Sequence, residues 1–221
     1  MSDQPVVADE CYWQSQQEEL AAILEKSEIA HVYCIGDCLT SGVPFEKIEG
    51  LPYPSQLQNI LGNRYNVINL GRTMLYMKTL LSFINLFQKK ITVPYSFVCV
   101  WCGTNDLYEN VVLGDVYKWY TTFCAMFHTQ HRVLAINMLP RTNMAPLDFE
   151  TNRLAFNQLL RENYHQFADG LVDIGSNEKI GKFGCEYNAE YYVGANNTHL
   201  NANGYGVVAQ LVADEIKKLQ T

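Results

Sequence analysis

The sequence predicts an α/β protein, a three-layer α/β/α sandwich built on about five parallel strands. Three observations lead there. Strand-like and helix-like stretches alternate along the chain. The first four strand-like runs are nearly all apolar rather than alternating, the pattern of strands covered on both faces. No internal repeat, low-complexity tract or interdomain linker interrupts the alternation.

In order, residues 1–11 read as a loose arm. From Trp13 to about Ser27, the residues Trp13, Leu20, Ile23 and Leu24 fall on one helical face, with Gln and Glu opposite. Strand one follows at His31 to Ile35. A loop with Pro44, Pro52 and Pro54 leads to a short helix near Ser55 to Leu61, which Gly62 is placed to end. Tyr65 to Leu70 is a second strand, closed by Gly71. Met74 to Phe87 reads as one long amphipathic helix and Tyr95 to Trp101 as a continuous apolar strand. Asp115 to Gln130 is helix, and Arg132 to Met138 is a fourth strand stopped by Pro140. Phe149 to Phe167 is helix, Leu171 to Ile174 a short fifth strand, and about Asn203 to Leu219 the last helix. The chain thus divides into an N-terminal arm and helix over 1–30 and one domain over 31–221.

Composition narrows the function. At 221 residues, 48% hydrophobic and 18% charged, the chain is long enough to bury a real core. A formal net charge of −7 argues against nucleic acid, since nothing would neutralise a phosphate backbone. The pairs Lys89-Lys90 and Lys217-Lys218 fall at predicted helix ends, where the helix dipole favours cations. No apolar run is long enough to cross a bilayer, and the N-terminus lacks a signal-peptide pattern. Seven cysteines without regular spacing fit a reducing compartment, so the expected location is cytoplasmic.

In a parallel sheet every strand's carboxyl end points to one rim, where ligands bind. After strand one come Gly36, Asp37 and Cys38; after strand two, Asn69-Leu70-Gly71; after strand three, Gly103-Thr104-Asn105-Asp106. Before the last helix comes Asn196-Asn197-Thr198-His199-Leu200-Asn201. A nucleophile candidate, a backbone donor on a glycine, a side-chain amide and an imidazole therefore converge. Acyl transfer needs such a set: a nucleophile, a base and donors aimed at an oxyanion.

These blocks resemble the SGNH hydrolases, also called GDSL esterases. Their first block, Gly-Asp-Ser-Leu/Ile-Thr-x-Gly, is matched by Gly36-Asp37-Cys38-Leu39-Thr40-Ser41-Gly42. The glycine of the second block matches Gly71, the third block Gly103-Thr104-Asn105-Asp106, and the final Asp-x-x-His matches Asn196-Asn197-Thr198-His199. The resemblance covers roughly residues 31 to 219 and implies a flavodoxin-like SGNH hydrolase fold. Two positions depart from it: Cys38 stands at the family serine and Asn196 at the family aspartate. Together they resemble the Cys-His-Asn set of papain-like proteases. A thiol is more acidic than a hydroxyl, so an amide that orients the imidazole without supplying charge suffices.

The resemblance implies that Cys38 attacks an acyl carbon and forms a thioester. His199 takes the thiol proton, or stands as an imidazolium beside a thiolate, and Asn196 orients it. The backbone N–H groups of Cys38 and Gly71 and the Asn105 side chain bind the oxyanion. Asp37 and Asp106 shape turns by accepting backbone N–H bonds. The rim loops hold Phe45, Tyr53, Tyr108, Arg141, Phe183, Tyr187, Tyr191 and Tyr192, and Met74 follows Gly71; Tyr108, Met74 and Arg141 are the substrate-binding candidates. An aromatic pocket with one cation suits a modest acyl group or a substrate bearing a carboxylate.

The expected activity is hydrolysis of an ester, thioester or amide of a small-molecule acyl substrate, with no metal and no organic cofactor. Two alternatives remain at this level. One is an acyltransferase passing the acyl group to an amine or thiol. The other is a catalytically inactive SGNH-fold binding protein, with Cys38 an inert turn residue or a substitution introduced at that position. The helix before the family core packs on the domain or on a second subunit, the latter giving a homo-oligomer. Cys99 and Cys102 have metal or redox spacing, but residues three apart on a strand point to opposite faces, so they are read as packing residues. His128 and His131 lack further ligands at zinc spacing.

Overall fold

A computed structural model describes residues 29–194 and 197–220. The arm and helix read over 1–28 lie outside the described residues, as does Asn196. The strands are β1 (Ala30–Gly36), β2 (Tyr65–Asn69), β3 (Phe97–Trp101), β4 (Arg132–Ile136) and β5 (Gly170–Val172). All pair in parallel, in the order β2-β1-β3-β4-β5. The helices are α1 (Cys38–Ser41), α2 (Tyr53–Leu61), α3 (Met77–Ser82), α4 (Ile84–Lys90), α5 (Thr104–Tyr108), α6 (Leu113–His128), α7 (Phe149–Asn163) and α8 (Ala202–Lys218).

The sheet carries an apolar layer on each face, which is why its strands read as unbroken apolar runs. On one face Tyr33, Ile35, Val98, Val100, Val133 and Ala135 meet Leu80 of α3, Phe123 of α6 and Phe156 of α7. On the other, Val32, Cys34, Cys99, Trp101, Leu134 and Ile136 meet Leu57 of α2 and Val208 and Val212 of α8. Cys99 and Cys102 fall in opposite layers, so they are packing residues as expected.

Two boundaries differ from the sequence reading. The helix expected over 74–87 is two helices. Met74 adopts a left-handed φ of 59°, outside helical space. α3 begins only at Met77, whose N–H is held by the Asp106 carboxylate at 3.0 Å and 3.2 Å. Phe83, at φ −96° and ψ 11°, then separates α3 from α4. The helix from Phe149 stops at Asn163 and passes into a single tight turn over Tyr164–Gln166.

The chain leaves β1 for one edge of the sheet and later returns beside it as β3, so the crevice between the ends of β1 and β3 is the topological switch point. Toward the rim, β3 and β4 part. The Tyr120 hydroxyl sits between them, accepting the Ile136 N–H at 2.9 Å and lying 2.7 Å from the Val100 carbonyl and 3.2 Å from that of Ile136. It fills the place of a direct ladder bond.

Candidate active site

β1 ends at Gly36 because the chain must turn there in almost no space. A Cβ on Gly36 would lie 1.9 Å from the Trp101 carbonyl oxygen. Asp37 caps the turn that follows, its carboxylate accepting the Leu39 N–H at 2.9 Å. Cys38 is therefore the first residue of α1, 7% exposed. Asp106 likewise accepts a backbone bond, from Met77, as the sequence indicates.

Gly71 lies against this turn backbone to backbone. A Cβ there would come within 2.3 Å of the Ser41 nitrogen, so only glycine fits without displacement. Its N–H donates to Asn69 Oδ1 at 2.9 Å, while Asn69 Nδ2 reaches the Ser41 carbonyl at 3.3 Å. The sequence reading placed Gly71 as a donor but missed that Asn69 holds it. The signal was there: an Asn two residues before a turn glycine is a local bonding motif. Asn105, on the first turn of α5, donates one amide hydrogen to the Leu75 carbonyl at 3.1 Å. Its amide carries a second hydrogen.

His199 reaches the site on a loop tied down at several points. Tyr192 and Leu200 form an antiparallel bridge, and the Val193 N–H donates to the His199 carbonyl at 3.0 Å. The His199 N–H donates to Asn197 Oδ1 at 3.0 Å. Asn201 caps α8 through Asn203 and Gly204, and Tyr205 in the first turns of α8 donates to the Val43 carbonyl, just past α1, at 2.7 Å. That last bond links the histidine-bearing element to the nucleophile turn. Asn197 is thus a turn residue, and the orienting role of Asn196 falls outside the described residues.

Electrostatics favour neutral partners. Burial, followed by the charge of Asp37, pushes the Cys38 thiol up to about 12, against the opposing pull of Arg141. Burial, reinforced by Arg141, lowers the His199 imidazole below its ordinary value of 6.5. The His199 Nε2 atom is buried without a hydrogen-bond partner. Of the two alternatives for His199, these directions favour a neutral imidazole that takes a proton during attack over a standing imidazolium. Asp37 is fully buried and raised to about 7, chiefly by desolvation, while Asp106 is raised to about 6 for the same reason.

Among the substrate-binding candidates, Arg141 stacks on Tyr108, its guanidinium carbon 3.6 Å from the ring centre. Met74 stands 66% exposed on the loop after Gly71. Tyr53 and Tyr192, read as rim aromatics, are instead buried: Tyr53 packs edge-on against Trp101, and Tyr192 donates to the Ile180 carbonyl at 2.6 Å. Their apolar rings fill the layer under α2 and α8. Among the described residues, no group of three His, Cys, Asp or Glu side chains is arranged to hold a metal ion. No helix of the described residues is long and apolar enough to cross a membrane.

A five-stranded parallel sheet in this order, with the sequence blocks at its rim, defines an α/β/α sandwich of the SGNH type. The chain belongs to the GDSL-like lipase/acylhydrolase family, whose profile matches residues 34–207. Solved structures agree on the fold. A carbohydrate acetylesterase family member from Sinorhizobium meliloti is similar at 15% identity, covering 86% of this chain and 98% of that one, with a TM-score of 0.65. A lipolytic G-D-S-L family protein from Veillonella parvula is similar at 17% identity, covering 84% and 97%, with a TM-score of 0.63. The psychrotrophic esterase EstA from Pseudoalteromonas sp. is similar at 12% identity, covering 86% and 98%, with a TM-score of 0.59. No curated protein sequence matches the chain significantly.

Proposed function

We propose that this protein is an acylhydrolase that works through an acyl thioester on Cys38. The observation that carries the reading is the position of Cys38 at the first residue of α1, in the family's nucleophile turn, with Gly71 packed on that turn. Cys38 Sγ attacks the carbonyl carbon of an ester, thioester or amide as neutral His199 takes the thiol proton. The oxyanion is received by the N–H of Cys38, the free amide hydrogen of Asn105 and the N–H of Gly71, which is shared with Asn69. Collapse breaks the bond to the leaving group, which leaves with the proton from His199. Water, deprotonated by His199, then cleaves the thioester, releasing the acid and restoring the thiol. Asn196 orients the imidazole in this scheme. The reaction takes place in the cytoplasm and needs no cofactor.

The test is intact-mass detection of an acyl adduct after exposure to a panel of activated acyl donors. An adduct that maps to Cys38 and is absent from Cys38→Ala supports the reading; no adduct with any donor favours the inactive binding protein. Because a thioester is a good acyl donor to amines, products are compared with and without an added amine. An amide product would make the enzyme an acyltransferase. Cys38→Ser is expected to leave little activity, and Cys38→Ser with Asn196→Asp to recover part of it.

A further inference from the structure

Arg141 is a cation held beside the nucleophile without a partner to neutralise it. Its guanidinium lies 3.6 Å over the Tyr108 ring, and Tyr108 ends the short helix that carries Asn105. Its Nε is buried and makes no hydrogen bond, and no carboxylate of the described residues forms an ion pair with it. Its charge is felt by Cys38, Asp37 and His199 together, which puts the stacked guanidinium within electrostatic reach of the candidate site. A desolvated donor left unsatisfied is destabilising, the more so when it is charged. Stacking fixes the plane of the fork, whose in-plane N–H donors are of the kind that takes a carboxylate bidentately.

We propose that Arg141, braced by Tyr108, is an anion subsite that selects acyl substrates carrying a carboxylate close to the scissile carbonyl. This rests on the acylhydrolase reading above. The carboxylate belongs either to the acyl part or to the leaving group, and the two sources are separable. A rival role for Arg141, favouring the Cys38 thiolate, would serve charged and neutral substrates alike.

The test compares isosteric thioester pairs. S-ethyl monothiosuccinate is set against its carboxamide counterpart for the acyl side. S-butyryl 3-mercaptopropionate is set against S-butyryl 3-mercaptopropionamide for the leaving side. One charged member should exceed its neutral isostere at least tenfold in kcat/KM, mostly through KM, and identify the source. In Arg141→Gln that ratio should fall towards one, and Arg141→Lys should restore part of it. Ratios near one for both pairs in the native protein overturn the proposal. Binding keeps this separate from catalysis. In Cys38→Ala, N-propylsuccinamate should bind at least tenfold more tightly than N-propylsuccinamide, or N-butyryl-β-alanine than its amide, with Arg141→Gln removing the difference. That result with no acyl adduct on the native protein would sink the hydrolase reading and leave the subsite standing. Equal binding within both pairs sinks the subsite.

Discussion

Asn69 holds the Gly71 N–H at 2.9 Å and, from the same amide group, reaches the Ser41 carbonyl at 3.3 Å. One side chain thereby ties the exit of β2 to the helix that begins with Cys38. Asn69→Ala is expected to lower kcat about tenfold with little change in KM, because the Gly71 donor loses its aim. Each lost bond removes about 0.5–1.5 kcal/mol of stability. Unchanged kcat would mean that the Gly71 amide takes no part in binding the oxyanion. Gly71→Ala is a harsher change, since its methyl meets the Ser41 nitrogen at 2.3 Å. It should abolish acylation and lower the melting temperature.

The neutral state of the nucleophile and base sets the pH dependence. With the thiol near 12 and the imidazole below 6.5, kcat/KM should have an acid limb below about pH 6.5, where His199 becomes protonated. A standing thiolate–imidazolium pair would keep the rate flat well below that. Alkylation of Cys38 by iodoacetamide, followed by site-resolved mass spectrometry, should climb about tenfold per pH unit from 7 to 10 without a plateau. A plateau at neutral pH would show that the ion pair forms after all.

Asn105 supplies the side-chain donor of the candidate oxyanion site while anchoring the Leu75 carbonyl at 3.1 Å. Asn105→Ala should lower kcat by ~10²–10³, the usual cost of one such donor. Stopped-flow measurement of the acylation step distinguishes this from a slower release step. A loss seen only in KM would assign Asn105 to substrate positioning.

Asp37 should make the fold less stable as pH rises. Its carboxyl is raised from 3.8 to about 7, chiefly by burial, so the folded chain binds more protons than the unfolded chain between those values. That stability is present below about pH 4 and lost as pH rises through 7; Asp106, raised to about 6, acts in the same direction. His131 and His199, both lowered by burial, act oppositely below their ordinary value of 6.5, which leaves pH 6.5 to 8 as the window for Asp37. The melting temperature should fall there by roughly 2–4 °C. Asp37→Asn keeps the capping acceptor and should flatten that slope.

The parallel sheet and its two apolar layers were legible because parallel strands covered on two faces leave unbroken apolar runs, as in Val98-Cys99-Val100-Trp101. The long helix drawn through Phe83 was misread because 3.6-residue spacing persists across the break. Its start at Met77 is equally hidden, because the Asp106 carboxylate that holds the Met77 N–H is 29 residues away in sequence. Cys38, Gly71, Asn105 and His199 could be found as candidates because turn glycines and strand ends have local signatures. The neutral state of Cys38 and His199 could not, since it comes from burial, joined by Asp37 at the thiol and by Arg141, remote in sequence, at the imidazole. Tyr53 and Tyr192 show the same limit: loop-like neighbours marked them as rim residues, and only the packing under α2 and α8 reveals them as core.

Tyr120 enters the ladder between β3 and β4, where a hydroxyl stands in for a direct backbone bond. The seam beside the β1–β3 crevice is therefore closed by a phenol from α6 rather than by the strands themselves. The spacing of β3 and β4 at the rim thus rests on one helix residue, separate from Cys38 and His199.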